Sequence, residues 1–195
     1  MDKIAVFKHV LCEQCPILSK TGSVSLSCDP SEIIRQNAGK RVLVLLAGVQ
    51  GCGKTTYCTE HFSSDCTVVN PDEISQECLE TEPDIPFKEI NKMVYETEMR
   101  QIYEGLKNGI IVLDTNCIDL IFRSHILETF KRVYDKTILI ALNRDMDTIK
   151  KQVLGQILIR SRPGLYKEIE GEFNAMNFQL KYHIFEMGVD ELYVV

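Results

Sequence analysis

The sequence has no excess of basic residues: over 195 residues, 22 Lys and Arg stand against 28 Asp and Glu, a formal charge of −6 with histidine neutral. That excludes a protein that grips nucleic acid through a broad basic face, since such binding scales with the number of phosphates neutralised. No run approaches the roughly 18 apolar residues that span a bilayer. The N-terminus, MDKIAVFKHVLCEQC, lacks a long apolar stretch followed by a small-residue cleavage site. A soluble, unsecreted protein without a membrane partner is the expectation. There is no internal repeat and no low-complexity tract, so solenoids and tandem arrays are excluded. A disulfide framework is also missing: cysteines at 12, 15, 28, 52, 58, 66, 78 and 117 follow no paired spacing beyond one C-x-x-C. Reduced thiols in the cytoplasm or nucleus are expected.

What is present is a core and a rhythm. Hydrophobic residues make up 45% of the chain, enough for one compact domain. Short apolar runs at 41–47, 66–69, 110–113, 137–142 and 192–195 read as strands buried on both faces. Helix-length segments at 54–62, 72–80, 87–107, 119–134, 146–160 and 164–187 alternate with them. Strands and helices in that alternation predict an α/β fold of three layers with a parallel, about five-stranded sheet. Ligands in such folds bind beyond the carboxyl ends of the strands. Residues 1–39 look different, with KIAVF and SVSLS as edge-strand candidates and SEIIRQN as a short helix. The chain therefore divides into an N-terminal extension or small subdomain, 1–39, and a main domain, 40–195.

Gly48-Val49-Gln50-Gly51-Cys52-Gly53-Lys54-Thr55 matches G-x-x-x-x-G-K-[ST], directly after the first apolar run and before a helix-like KTTYCTEHF. Glycines let consecutive backbone N–H groups face a phosphate, and the helix N-terminus adds partial positive charge. In that role Lys54 bridges the β- and γ-phosphates of ATP or another NTP, and the Thr55 hydroxyl ligates Mg²⁺. Thr56 continues the loop into the helix. A GTPase would carry N-K-x-D after a late strand. Here Asn143-Arg144-Asp145-Met146 puts Met where the guanine-reading Asp belongs.

Two carboxylates fall at strand ends. Asp114 closes IIVLD, the pattern of an acid that holds Mg²⁺ or its water; the alternative is a cap for the helix beginning near 119. Asp72 follows the second strand in VNPDE, where Asn70 can cap a helix and Pro71 suits its first position. Asp72 is then either an acid favouring the first helical turn or a general base facing the crevice beside the phosphate loop.

Charge is also segregated. Residues 144–167 hold six bases and two acids, while 71–104 hold ten acids and three bases. Arg160 and Arg162, in RSRP at the end of an amphipathic segment, suit a helical lid that offsets charge on a transferring phosphoryl group. Separately, His9, Cys12, Cys15 and Cys28 form a candidate zinc set, the alternative being ordinary buried thiols. Cys52, inside the loop, suggests sensitivity to thiol modification.

With these residues in hand, the chain resembles P-loop kinases of the 5′-hydroxyl polynucleotide kinase type, both phage-type enzymes and RNA-repair kinase domains, over about residues 40–187. The similarity rests on GVQGCGKTT, VNPDEI, VLDTN and RSRP. The resemblance implies phosphate and metal contacts from Lys54 and Thr55, and a general base in Asp72. It places Asp114 on the metal or acceptor side, and Arg160 and Arg162 in the lid. Phage-type enzymes carry an arginine three residues after the base, where this chain has Ser75. Arg123, in the helix after DTN, is then either the missing acceptor contact or a surface arginine. NPDEI is similar to zeta-toxin-type kinases too, which implies nucleotide-sugar acceptors.

The expected activity is transfer of the γ-phosphoryl group of ATP, with Mg²⁺, to the 5′-OH of an RNA or DNA end, in association with other end-repair activities. A kinase for a small metabolite or nucleotide sugar is the second expectation. A nucleotide-binding module without turnover is the third, against which the intact Lys54, Thr55, Asp114, Arg160 and Arg162 argue.

Overall fold

A computed structural model describes residues 18, 20, 22–25, 29–62, 66–154 and 164–195. Its strands are β1 (Ser23–Ser25), β2 (Val42–Ala47), β3 (Thr67–Val69), β4 (Ile110–Leu113), β5 (Lys136–Ala141) and β6 (Glu191–Val194). They form one parallel sheet in the order β1-β6-β5-β2-β4-β3. The helices are α1 (Pro30–Gln36), α2 (Lys54–His61), α3 (Pro71–Thr81), α4 (Phe87–Asn108), α5 (Leu120–Phe130), α6 (Met146–Leu154) and α7 (Leu165–Lys181). The fold is thus α/β with a parallel sheet, as the alternating pattern predicts.

The most apolar run of the sequence lies at the centre of the sheet. Every residue of β2 is buried, and Val42 lies opposite Ile110 of β4 on one side and Lys136 of β5 on the other. A strand flanked by two others and covered above and below needs apolar side chains at every position, which is why this run does not alternate. Each Val or Leu buried there stabilises the fold by about 1.5–3 kcal/mol, so the phosphate loop springs from a firmly anchored strand. The chain leaves β2 to build β3 and β4 on one side, then crosses β2 to build β5 on the other. Such a reversal opens a crevice at the carboxyl edge of the sheet.

The sheet has six strands, not five. The additional one, β1, comes from the segment read as an extension, and it pairs with β6 through Ser23 opposite Glu191. It is part of the edge-strand candidate SVSLS, and since three residues with one apolar side chain carry no period to read, its pairing is what establishes it. Helix α1 is capped by Asp29, whose side chain accepts Ser31 N–H at 3.0 Å, and its Ile33 joins the main core. Residues 23–25 are therefore built into the same sheet, and 30–36 into the same core, as the rest.

Helix α7 also ends earlier than the apolar pattern suggests, at Lys181 instead of 187. His183 takes a left-handed conformation, φ 56°, and donates its N–H to Leu180 O, while Ile184 N–H reaches Gln179 O at 2.8 Å. This is a helix stop normally signalled by glycine, here made with histidine and held by the buried Ile184 side chain. No helix among the described residues is long and apolar enough to cross a membrane.

Glu98, in the middle of α4, is 5% exposed, and its Oε1 has no hydrogen-bond partner among the described residues. Burial raises its pKa from 4.5 to about 7. Between those two values the folded chain keeps a proton that the unfolded chain has lost, so stability falls as pH rises through this window and levels off above it. The cost above pH 7 is on the order of 3 kcal/mol. Glu98→Gln is therefore expected to raise stability at pH 8 and to have almost no effect at pH 4.5. Urea unfolding of both proteins at the two pH values checks this; equal gains at both would refute the assignment.

Candidate active site

The loop after β2 turns through two glycines that need left-handed backbone, Gly51 at φ 82° and Gly53 at φ 95°. At Gly51 a Cβ would also collide with the Val153 side chain of α6, so that helix presses directly on the loop. Helix α2 starts at Gly53 without a side-chain cap. The N–H groups of its first turn are left for a ligand, and the helix end favours an anion. Lys54 Nζ donates to the carbonyls of Gly48 at 2.7 Å and Val49 at 3.3 Å, which holds the ammonium over the loop.

A cavity of about 690 Å³ opens in front of this loop, at the carboxyl edge of the sheet. Gln50, Gly51, Gly53, Lys54, Thr55 and Thr56 form one wall. Pro71 and Asp72 form another, and Asp114, Thr115 and Asn116 the floor between them. The site residues expected at 50, 51, 53–56, 72 and 114 thus meet around a single space. Gly48 and Cys52 lie beneath the loop, where their side of it packs on the core. The Cys52 thiol fills the position a Cβ at Gly48 would occupy, and its N–H donates to Val49 O at 3.0 Å. Burial raises the pKa of that thiol. The expected sensitivity to thiol reagents is corrected accordingly, because a thiol that is buried and protonated is a poor nucleophile.

Asp114 is buried at the tip of β4, and it lines the cavity together with Thr55. Burial raises its pKa, opposed by the nearby Thr55 hydroxyl and Lys54 and reinforced by Asp72 and Glu73. It caps no helix. Asp119 does that for α5, accepting Ile121 N–H at 2.8 Å and Phe122 N–H at 3.3 Å. Asn70 links the two carboxylates. Its Oδ1 accepts Asp72 N–H at 2.9 Å, capping α3, while its Nδ2 donates to Asp114 Oδ2 at 3.0 Å. One amide therefore starts the helix that presents Asp72 and orients the acid beneath it. Asp72 itself is exposed on the cavity wall, and no described residue hydrogen-bonds its carboxylate.

Two site residues came with no signal in the sequence. Glu172, on α7, accepts the Gln50 N–H at 2.8 Å with one oxygen and Asn116 Nδ2 at 2.6 Å with the other. Gln152, on α6, also lines the cavity. Both sit in helices whose polar positions look alike in the sequence, and only the packing shows which of them face the loop.

Arg123 is neither a surface residue nor an acceptor contact. It has no exposed surface, and its guanidinium donates to Cys117 O at 2.7 Å, Gln179 Oε1 at 3.1 Å and Ile184 O at 3.4 Å. Helix α5 turns its 123 position inward, toward the loop after β4 and the end of α7. Ser75 does not reach the cavity wall. Arg160 and Arg162, with the lid they were assigned to, lie outside the described residues, as do His9, Cys12, Cys15 and Cys28. Among the described residues no cluster of His, Cys, Asp and Glu forms a metal cage.

No family model matches the chain, and no curated protein matches it. Among solved structures, the fold is similar to that of a protein from Chloroflexus aurantiacus described as a "putative kinase", with a TM-score of 0.52 and 13% identity over 81% of this chain and 86% of that one. A structure from the PezAT chromosomal toxin–antitoxin system of Streptococcus pneumoniae is also similar, with a TM-score of 0.49 and 13% identity over 95% of this chain and 75% of that one. The chain shares with the first of these an α/β fold built on a parallel sheet.

Proposed function

We propose that this protein is an ATP-dependent phosphotransferase that moves the γ-phosphoryl group onto a hydroxyl, with Asp72 as general base. The observation that carries this reading is the single cavity shared by the phosphate loop, the Thr55 and Asp114 pair, and an exposed carboxylate at 72. The loop amides and Lys54 hold the phosphate chain, and Asp72 takes the proton of the attacking hydroxyl as its oxygen bonds to the γ-phosphorus and the bond to the β–γ bridging oxygen breaks. Thr55 and Asp114 fit Mg²⁺, since a hydroxyl and a carboxylate that line the same cavity are hard oxygen donors. Bound there, the ion neutralises phosphate charge.

Two acceptor classes follow from the sequence: the 5′-OH end of RNA or DNA, with other end-repair activities as partners, and a small metabolite or nucleotide sugar. The first rests on the resemblance carried by VNPDEI and VLDTN. The charge around the cavity favours a small acceptor, because Lys54 is the one basic side chain on its described walls while Asp72, Asp114 and Glu172 line it as acids. Incubation with γ-labelled ATP and a panel of 5′-OH oligonucleotides, nucleosides, sugars, amino alcohols and UDP-sugars tests the reading. Label appearing on an acceptor hydroxyl is the expected result; release of inorganic phosphate alone, with every acceptor unlabelled, would overturn it.

A further inference from the structure

Beside the nucleotide cavity lies a second opening, a groove of about 640 Å³ between the start of α5 and the outer face of α7. Thr115, Asn116 and Glu172 line both spaces, so the groove runs directly into the cavity across these three side chains. Its volume is that of a site for a small molecule. One flank is apolar, formed by Ile118, Leu120 and Phe122. The other is α7, which contributes Gly171 and Ala175 one turn apart and so leaves the space open. A Cβ built at Gly171 meets nothing within 4 Å.

The charge of this groove is as informative as its shape. Its described lining includes two acids, Asp119 and Glu172, and no Lys or Arg. Asp119 is engaged in capping α5. Glu172 stands at the junction, with each oxygen held by a hydrogen bond, so its carboxylate cannot swing away from an incoming group without breaking both. An anionic acceptor entering here would bring like charges together, an arrangement that disfavours wrong partners. A polynucleotide end instead needs cationic or N–H partners for its phosphates.

We propose that this groove is the acceptor site, that it takes a small uncharged or cationic hydroxyl compound with an apolar or planar body, and that Glu172 sets this preference by repelling anions. The inference rests on the phosphotransferase reading and adds the chemical class of the second substrate. The hydroxyl end lies toward Thr115, Asn116 and the cavity, and the body lies along Ile118, Leu120 and Phe122. Glu172 acts as a specificity residue that also holds the Gln50 N–H of the phosphate loop.

The test uses the full chain, ATP and four probes: adenosine, an aminoglycoside, UDP-N-acetylglucosamine and a 5′-OH oligonucleotide. Transfer to adenosine or the aminoglycoside with a kcat/KM at least tenfold above that for the two anionic probes is expected. A preference for either anionic probe overturns the inference and leaves the phosphotransferase reading standing. ATP bound but no transfer to any probe removes that reading and the inference together. Gly171→Phe, whose side chain enters open groove, is expected to raise the acceptor KM at least tenfold without changing the KM for ATP or the melting temperature. An unchanged acceptor KM in a folded Gly171→Phe protein means that the acceptor binds elsewhere. Glu172→Gln keeps the shape and is expected to shift the ratio of kcat/KM values toward the anionic probes by tenfold or more; no shift removes Glu172 from its role.

Discussion

Asp72→Asn is expected to lower phosphoryl transfer by about 10²–10⁴-fold, the usual worth of a positioned general base, with ATP affinity unchanged. The substitution is clean because the cap of α3 is supplied by Asn70, and no described residue hydrogen-bonds the Asp72 carboxylate. An acid in a first helical turn stabilises by about 0.3–1 kcal/mol, so the fold survives its loss. Asn keeps size and polarity and lacks only the capacity to take the proton. Transfer rates and ATP binding measured on the same preparation separate the two effects; undiminished transfer would leave Asp72 with no role beyond its helix. Its neighbour offers a contrast. Removing the Asn70 side chain would disturb both the α3 cap and the orientation of Asp114, so loss of activity there would not identify a base.

The largest loss of stability is expected from Arg123→Ala. This side chain has no exposed surface, lies with its guanidinium 5.0 Å from the Phe185 ring centroid, and donates to two backbone carbonyls and one amide oxygen. Burial lowers its pKa to about 10, so it stays charged at neutral pH. Truncation leaves Cys117 O and Gln179 Oε1 without their donor, while Ile184 O keeps the Met187 N–H, and opens a void the length of the side chain. Each buried acceptor left unsatisfied costs about 1–3 kcal/mol and the void adds to that, against a total of about 5–15 kcal/mol for an ordinary domain. Chemical denaturation measures the difference. Arg123→Met, which fills the space without the donors, is expected to lose less; a loss under about 1 kcal/mol for the alanine variant, as for a surface position, would contradict the buried role.

These two predictions differ in where they come from. Asp72 was readable because a proline, an acid and a capping asparagine follow an apolar run, and short-range rules suffice to start a helix there. Its competing readings, base and first-turn acid, turn out to be compatible, since the cap belongs to Asn70 and leaves the Asp72 carboxylate on the cavity wall. Asp114 was readable for a similar reason, at the end of four buried apolar residues, though only the structure shows that Asp119 does the capping. Arg123 was misread because α5 is apolar nearly all round, and its period alone does not say which face turns inward. Strand β1 was visible only as an edge-strand candidate, because three residues hold no pattern without their partner.

By itself, then, the sequence determined the parallel α/β order, the phosphate loop and the two carboxylates at the strand ends. Each of these is written in contiguous residues and enforced by local backbone geometry or by strand burial. Only the tertiary structure decided that Arg123 belongs to the framework, that α7 ends on a left-handed histidine, and that Glu172 meets Gln50 across 122 positions of the chain. Contacts of that kind depend on the rotation of each helix about its axis, which is set by the packing of whole elements and leaves no mark in neighbouring residues.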